Sequence, residues 1–203
     1  MDQQLAEGLA RQALLFLDNA TFRAAQKDHA LHVEGLVKEF TERELTWPEH
    51  IDNVVALCMR IAGVLELPDD KRELLRRAAI VHDIGLLDFP KVDIGPVGGP
   101  VDHVGRGAAR LEQMPLWAEV APIVRDHHER MDGSGPLGLS GFALGLPARI
   151  LALAEYIETV TNPASPWNTR SAAQVVAELQ DPKDQRFDQR VVAAFLAGVP
   201  GAG

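Results

Sequence analysis

Apolar residues recur every three or four positions through Ile51, Val54, Val55, Cys58, Ile61, Ala62 and Leu65. That spacing lays a near-ideal buried stripe along one side of an α-helix. Later segments repeat it: Leu74, Leu75, Ala78, Ala79 and Val81; Leu116, Val120, Ile123 and Val124; Leu151 and Ala154; Val175, Val176 and Leu179; Val191 to Leu196. Glycine and proline cluster between these segments, and aromatic residues make up only 5% of the chain. The pattern predicts an all-α fold, because a sandwich of short strands would spread its turn residues evenly. At 203 residues the chain can bury one sizeable core. We divide it into an N-terminal helical extension over 1–45 and a core domain over 46–203. Two helices are expected in the extension, over 3–17 and onward from Phe22. They would pad the core or form an oligomer contact such as a homodimer. His29 and His32, on the second of them, read as packed or solvated histidines.

Local signals place the boundaries. Thr46 with Glu49 three residues on reads as a capping box, with Pro48 in the first helical turn. Asp70-Lys71-Arg72-Glu73 reads as a second box-like start. Gly85 suits a helix C-terminus in the left-handed conformation. Residues 88–102, rich in proline and glycine, are expected to be a loop, after which His103 opens a short helix. Pro122 implies a late start or a kink, Asp132-Gly133-Ser134-Gly135-Pro136 a tight turn, and Pro147 the first turn of a helix. Ser171 to Gln174 can cap a further helix, and 201–203 is expected to fray.

Charge and cysteine content narrow the class. A formal net charge of -9 argues against DNA or RNA as a partner, which calls for a basic footprint. No apolar run approaches the ~20 residues needed to cross a bilayer. The lone Cys58 cannot form an internal disulfide, and Met1-Asp2-Gln3-Gln4 lacks the basic start of a secretory signal. A cytoplasmic protein is expected.

Five of the seven histidines lie between His50 and His128. His82-Asp83 stands at the expected end of a helix, and His127-His128 is again an adjacent pair. A His-Asp pair alone is more often a buried hydrogen bond, and His50 or His103 alone has a weak claim. Together they form an ordered series, followed by Glu155 and Glu158 on an otherwise apolar helix face, where carboxylates need cations or hydrogen-bond partners. Neighbours on a helix project about 100° apart, so a pair serves one ion poorly but can reach two, with Asp83 bridging. Imidazole and carboxylate suit iron, manganese or zinc. Two such ions ~4 Å apart can share a hydroxide and clamp an in-line displacement at phosphorus.

His50, His82-Asp83, His103, His127-His128-Glu129, Asp132-Gly133-Ser134-Gly135-Pro136 and Pro147-Ala148-Arg149-Ile150-Leu151 resemble the HD-GYP family, a branch of the HD-domain phosphohydrolases. The resemblance runs from about Thr46 to about Val192. It implies an HD-domain helical bundle and phosphodiester hydrolysis, usually of cyclic di-GMP in bacterial signalling. Carried over by position, it makes His50, His82, Asp83, His103, His127, His128 and Glu155 ligands of two divalent transition-metal ions, iron or manganese. Asp83 would bridge them and be catalytic through the hydroxide they share. Glu155 replaces the family's aspartate, one methylene longer. Arg149 and Glu158 are the expected substrate contacts, and the partner is a cyclic dinucleotide or another small phosphoester.

The departures fall on the substrate side. Gly135 runs straight into Pro136, without the motif's tyrosine. Leu86 stands where the family has a lysine, and Ser165-Pro166-Trp167-Asn168 where it has an Arg-Pro-Tyr-Arg-like stretch. Thr46 occupies the position of an additional glutamate ligand in some members, favouring two ions over three. The loop before His103 is shorter than usual. Three readings stay open: a cyclic di-GMP phosphodiesterase, a phosphohydrolase for another nucleotide, and a metal-binding signalling or scaffold module without turnover.

Overall fold

The computed structural model describes residues 31–43, 45–47, 49–90 and 102–199. The helices expected over 3–17 and onward from Phe22 to 30, residues 91–101 of the expected loop, and the 201–203 tail lie outside the described residues. The chain divides into two units, Met1–Lys38 and Glu39–Gly203. Residues 31–42 are helical (α1), and His32 on it is exposed, a solvated histidine as expected.

The larger unit continues with α2 (His50–Val64), α3 (Asp69–Val81), a 3-10 segment (Ile84–Asp88), α4 (His103–Glu112) and α5 (Ala121–Asp126). A second 3-10 segment (Gly141–Ala143), α6 (Leu146–Thr161), α7 (Ala172–Leu179) and α8 (Gln189–Ala197) complete it. Among the described residues there is no strand, and the fold is all-α. No helix among them is long and apolar enough to cross a membrane.

The core is built around α6. Every residue from Ile150 to Val160 is buried, so this helix is enclosed on all sides, the mark of a central element. Its neighbours are α2, α3, α5, α7 and α8, while α4 packs on α5 and on the first 3-10 segment. The stripe of α2 supplies Val54, Cys58, Ile61 and Ala62, all fully enclosed. Glu155 and Glu158 are thus carried into the interior by the helix that everything else covers.

Several helix ends follow their local signals. Pro122 and Pro147 lie in the first turns of α5 and α6. Ser171 accepts from the Gln174 backbone while the Gln174 side chain accepts from the Ser171 N–H, a complete capping box. Other ends do not. The helix expected from Thr46 begins at His50, and Glu49 takes a left-handed backbone (φ 63°) with no side-chain cap. The segment 45–47 instead carries the Trp47 indole N–H to Glu158 (3.0 Å), and this long-range contact overrides the local box. α3 starts at Asp69 after Pro68 with no side-chain cap. Glu73, the acid of the expected second box, pairs with Arg76 instead.

Gly85 is a further correction. It lies inside the first 3-10 segment and is not left-handed. What demands glycine is α4 crossing directly above it: a Cβ there would sit 1.9 Å from the His103 carbonyl oxygen and 2.7 Å from the Gly107 nitrogen. This close approach fixes His103 against the residues that follow His82.

Candidate metal centre

Five helices deliver the histidine and acid series to one place. His50 and His103 are the first residues of α2 and α4. His82 and His127 are the C-caps of α3 and α5, each followed by its partner, Asp83 or His128. Glu155 comes from the middle of α6. His50, His82, His103 and His127 are 0–2% exposed. Asp83, His128 and Glu155 have side chains 9–11% exposed and form the edge that meets solvent.

Asp83 is the hinge of the geometry. Its Oδ2 faces His82 Nε2 at 3.4 Å and His50 Nε2 at 3.7 Å. Its Oδ1 faces His103 Nε2 at 3.2 Å and His127 Nε2 at 3.8 Å. Two ligand groups result: His50, His82 and Asp83, and Asp83, His103, His127 and His128, the candidate atoms in each lying within 4.8 Å of one another. Glu155 Oε2 stands beside the second group, 3.3 Å from His128 Nδ1 and 3.6 Å from His127 Nε2.

The outer hydrogen bonds settle which ring nitrogens face inward. His82 donates its Nδ1–H to the Ala79 carbonyl (2.9 Å), and His127 donates to the Val124 carbonyl (2.6 Å). His50 donates from Nδ1 to Glu158 Oε2 at 2.5 Å. Each Nε2 then carries a lone pair towards Asp83, the arrangement that second-layer partners impose on metal-binding imidazoles. His50 Nε2 and His82 Nε2 lie 3.2 Å apart, and His103 Nε2 and His128 Nε2 3.3 Å apart. His127 Nε2 is buried with no hydrogen-bond partner among the described residues. Lone pairs converging in a buried space, one of them orphaned, fit bound metal cations and have no good solution as hydrogen bonds alone.

The electrostatics agree. Burial works against ionising Asp83, but His82, His103 and His50 hold its carboxyl well below the usual carboxylate range. Burial likewise opposes a charge on His50, yet Asp83 and Glu158 outweigh it and lift its pKa to about 9. Burial, then His103, brings His128 down to about 3. Burial, then repulsion from His128, pushes His127 far down. Burial, then the Asp83 charge, raises Glu155 to about 7. His127 and His128 are thus neutral beside an ionised Asp83, as metal ligation requires, whereas His50 holds a proton that an ion on its side would displace.

Two expected substrate contacts are placed differently. The Arg149 guanidinium donates to the Leu144 carbonyl (2.8 Å) and pairs with Asp188 at 2.8 Å. Asp188 also caps α8 through the Arg190 N–H. Arg149 therefore ties the start of α6 to the start of α8, and its charge is engaged there. Glu158 is 3% exposed and bound to His50, and its other oxygen accepts from Trp47, from Asn162 (2.5 Å) and, at 3.4 Å, from Asn53. It orients a histidine and is fully occupied in doing so. The i, i+3 spacing of Glu155 and Glu158 was the visible signal, but it did not separate the two roles.

Glu129, which the sequence offers only as part of a motif, has a structural role of its own. It is 1% exposed and accepts backbone N–H groups from Leu137 and Leu139, both at 2.7 Å. Gly135 passes so close that a Cβ would lie 2.5 Å from Glu129 Cα. Glu129 thus latches the 132–140 turn to the end of α5 beside His128. Leu86 is 3% exposed in the core and presents no polar group to the site.

Residues 101–191 match the HD domain family. The chain is 31% identical to a cyclic di-GMP phosphodiesterase of Pseudomonas aeruginosa over 81% of its own length and 42% of that protein's. It is 30% identical to a cyclic di-GMP phosphodiesterase response regulator of Xanthomonas campestris, over 74% of this chain and 42% of the relative. A 3'3'-cGAMP-specific phosphodiesterase of Vibrio cholerae is 32% identical over 56% of this chain and 28% of its own. The chain thus spans less than half the length of these curated relatives. Among solved structures, an HDG"Y"P protein from Bdellovibrio bacteriovorus shares the fold with a TM-score of 0.59 at 20% identity, covering 75% of this chain and 52% of that one. With the histidine and aspartate series assembled in one buried cluster, and with Leu86 and the Gly135-Pro136 junction as departures from the HD-GYP pattern it resembles, the chain is an HD-domain protein, its residues 101–191 matching that family.

Proposed function

We propose that this chain hydrolyses a nucleotide phosphodiester with two divalent transition-metal ions, iron or manganese, held by His50, His82, Asp83, His103, His127, His128 and Glu155. The observation that carries the reading is Asp83, whose two oxygens each face a separate set of buried imidazoles. When bound, such an ion pair supplies a nucleophilic hydroxide at neutral pH and neutralises charge on the phosphoryl oxygens. The chain's own part is to present imidazoles and an ionised aspartate in a fixed frame, and to keep bulk water from all but the Asp83, His128 and Glu155 edge.

Relatives named for cyclic di-GMP and 3'3'-cGAMP hydrolysis bring cyclic dinucleotides forward as the substrate class. A different nucleotide diester is favoured by a specific observation: Leu86 is buried, Arg149 is paired with Asp188, and 162–168 contains no lysine or arginine. The test is an activity screen of manganese- and iron-loaded protein over cyclic dinucleotides, linear dinucleotides and simple diesters, alongside elemental analysis. The expected result is about two metal equivalents and turnover of at least one diester. Protein that takes up no transition metal, or takes it up and cleaves nothing, refutes the enzyme.

Glu158 provides a second check. Glu158→Gln keeps the shape but presents His50 with a weaker, neutral acceptor. Loss of such a second-layer carboxylate is expected to weaken metal binding about 10- to 100-fold, confined to the ion on the His50 side. Chelator competition would read this as one weakened and one unchanged equivalent. Two unchanged equivalents would remove Glu158 from the account.

A further inference from the structure

A chain that binds a nucleotide with few free cations needs another source of affinity, and two tryptophans stand at the place to supply it. Trp47 lies against His50, ring centroids 4.3 Å apart and planes tilted by 53°. Trp167 stands edge-on to Trp47 at 5.5 Å and 69°. Both rings are half-buried, so part of their surface faces solvent. Three of the chain's arginines are engaged with its own groups: Arg43 donates to the Leu87 and Phe89 carbonyls, Arg149 pairs with Asp188, and Arg170 pairs with Glu178.

The corner is also held rigid. The Trp47 indole N–H is fixed on Glu158. Trp167 rides a segment pinned at each step: Ala164 N–H donates to Asn162 Oδ1 (2.8 Å), Trp167 N–H to Ser165 Oγ (3.1 Å), and the Asn168 amide to the Thr161 carbonyl (3.0 Å). A preorganised aromatic surface loses little freedom when a flat ligand settles on it. Every nucleobase has a π-face, and stacking on an aromatic side chain is tolerant of base identity.

Resting on the reading of the site as one for a nucleotide phosphodiester, we propose that Trp47 and Trp167 form a stacking corner that holds the substrate's base while its phosphate lies over the Asp83, His128 and Glu155 edge. Trp167 is then a specificity-determining residue that selects nucleotides over sugar phosphates.

Calorimetric titration of the manganese-loaded full chain with guanosine 5'-monophosphate and with ribose 5-phosphate tests this. The unaltered chain should bind the nucleotide about tenfold or more tightly than the sugar phosphate. Trp167→Ala should close that gap, leaving the sugar phosphate affinity and metal content unchanged, and Trp167→Phe should retain most of it. If the alanine variant fails to fold, Trp167→Leu, which fills space without a π-face, should close the gap instead. Equal affinities in the unaltered chain, or a gap that survives loss of the Trp167 ring, overturns the corner. An intact, Trp167-dependent gap in protein that cleaves no diester overturns the hydrolase reading and leaves the corner standing.

Discussion

Replacing Asp83 with alanine is expected to lower phosphodiester turnover by at least about a thousandfold. Stabilisation of transition-state charge by a metal is worth several kcal/mol, and about 4 kcal/mol corresponds to three factors of ten. Among the described residues Asp83 alone belongs to both ligand groups, so no other of these side chains can take over. Metal content should fall from about two equivalents to one or fewer, while the helical circular dichroism persists, since the Asp83 side chain caps no helix. Asp83→Asn keeps the shape and removes the charge, so it separates electrostatic loss from an altered cavity. Turnover unchanged in both variants would refute the bridge.

Gly85→Ala should do comparable harm by a mechanical route. The added carbon would stand 1.9 Å from the His103 carbonyl oxygen and 2.7 Å from the Gly107 nitrogen. Both are main-chain atoms, so no side-chain rotation relieves the clash and α4 has to move. Overpacking of this kind costs about 1–3 kcal/mol or more, which for a chain of this size lowers the melting temperature by roughly 2–12 °C. Movement of α4 also carries His103 away from Asp83. Thermal denaturation and metal analysis should therefore change together, and a variant with unaltered melting temperature and full metal content would show that the crossing yields without consequence.

Legibility in the sequence divides along physical lines. The convergence of His50, His82, Asp83, His103, His127 and His128 was readable because few other reasons gather so many such residues in one domain. Pro122, Pro147 and the Ser171–Gln174 box were readable because they act on their own backbone. Gly85 was seen as special but for a local reason, whereas its cause is α4, which begins 18 positions later at His103. The Thr46–Glu49 box failed because Trp47 is drawn to Glu158, more than a hundred positions on. Glu158 stands out as charge on an apolar face and Arg149 only through the family resemblance, and both are engaged with partners that periodicity cannot name, His50 and Asp188. The latch made by Glu129 was invisible for the same reason: its partners are main-chain N–H groups of Leu137 and Leu139.

The supports behind the histidines are of two kinds, and the difference bears on how the centre can change over generations. His82 and His127 are steadied by the carbonyls of Ala79 and Val124. Every residue has a carbonyl, so no point substitution at those positions deletes the support. His50 depends on the Glu158 side chain, itself held by Trp47, Asn53 and Asn162. Heritable variation thus has a graded handle on the support of His50 and almost none on the supports of His82 and His127. On the proposed two-ion reading, a lineage can retune the affinity on the His50 side in small steps through residues that touch no ion.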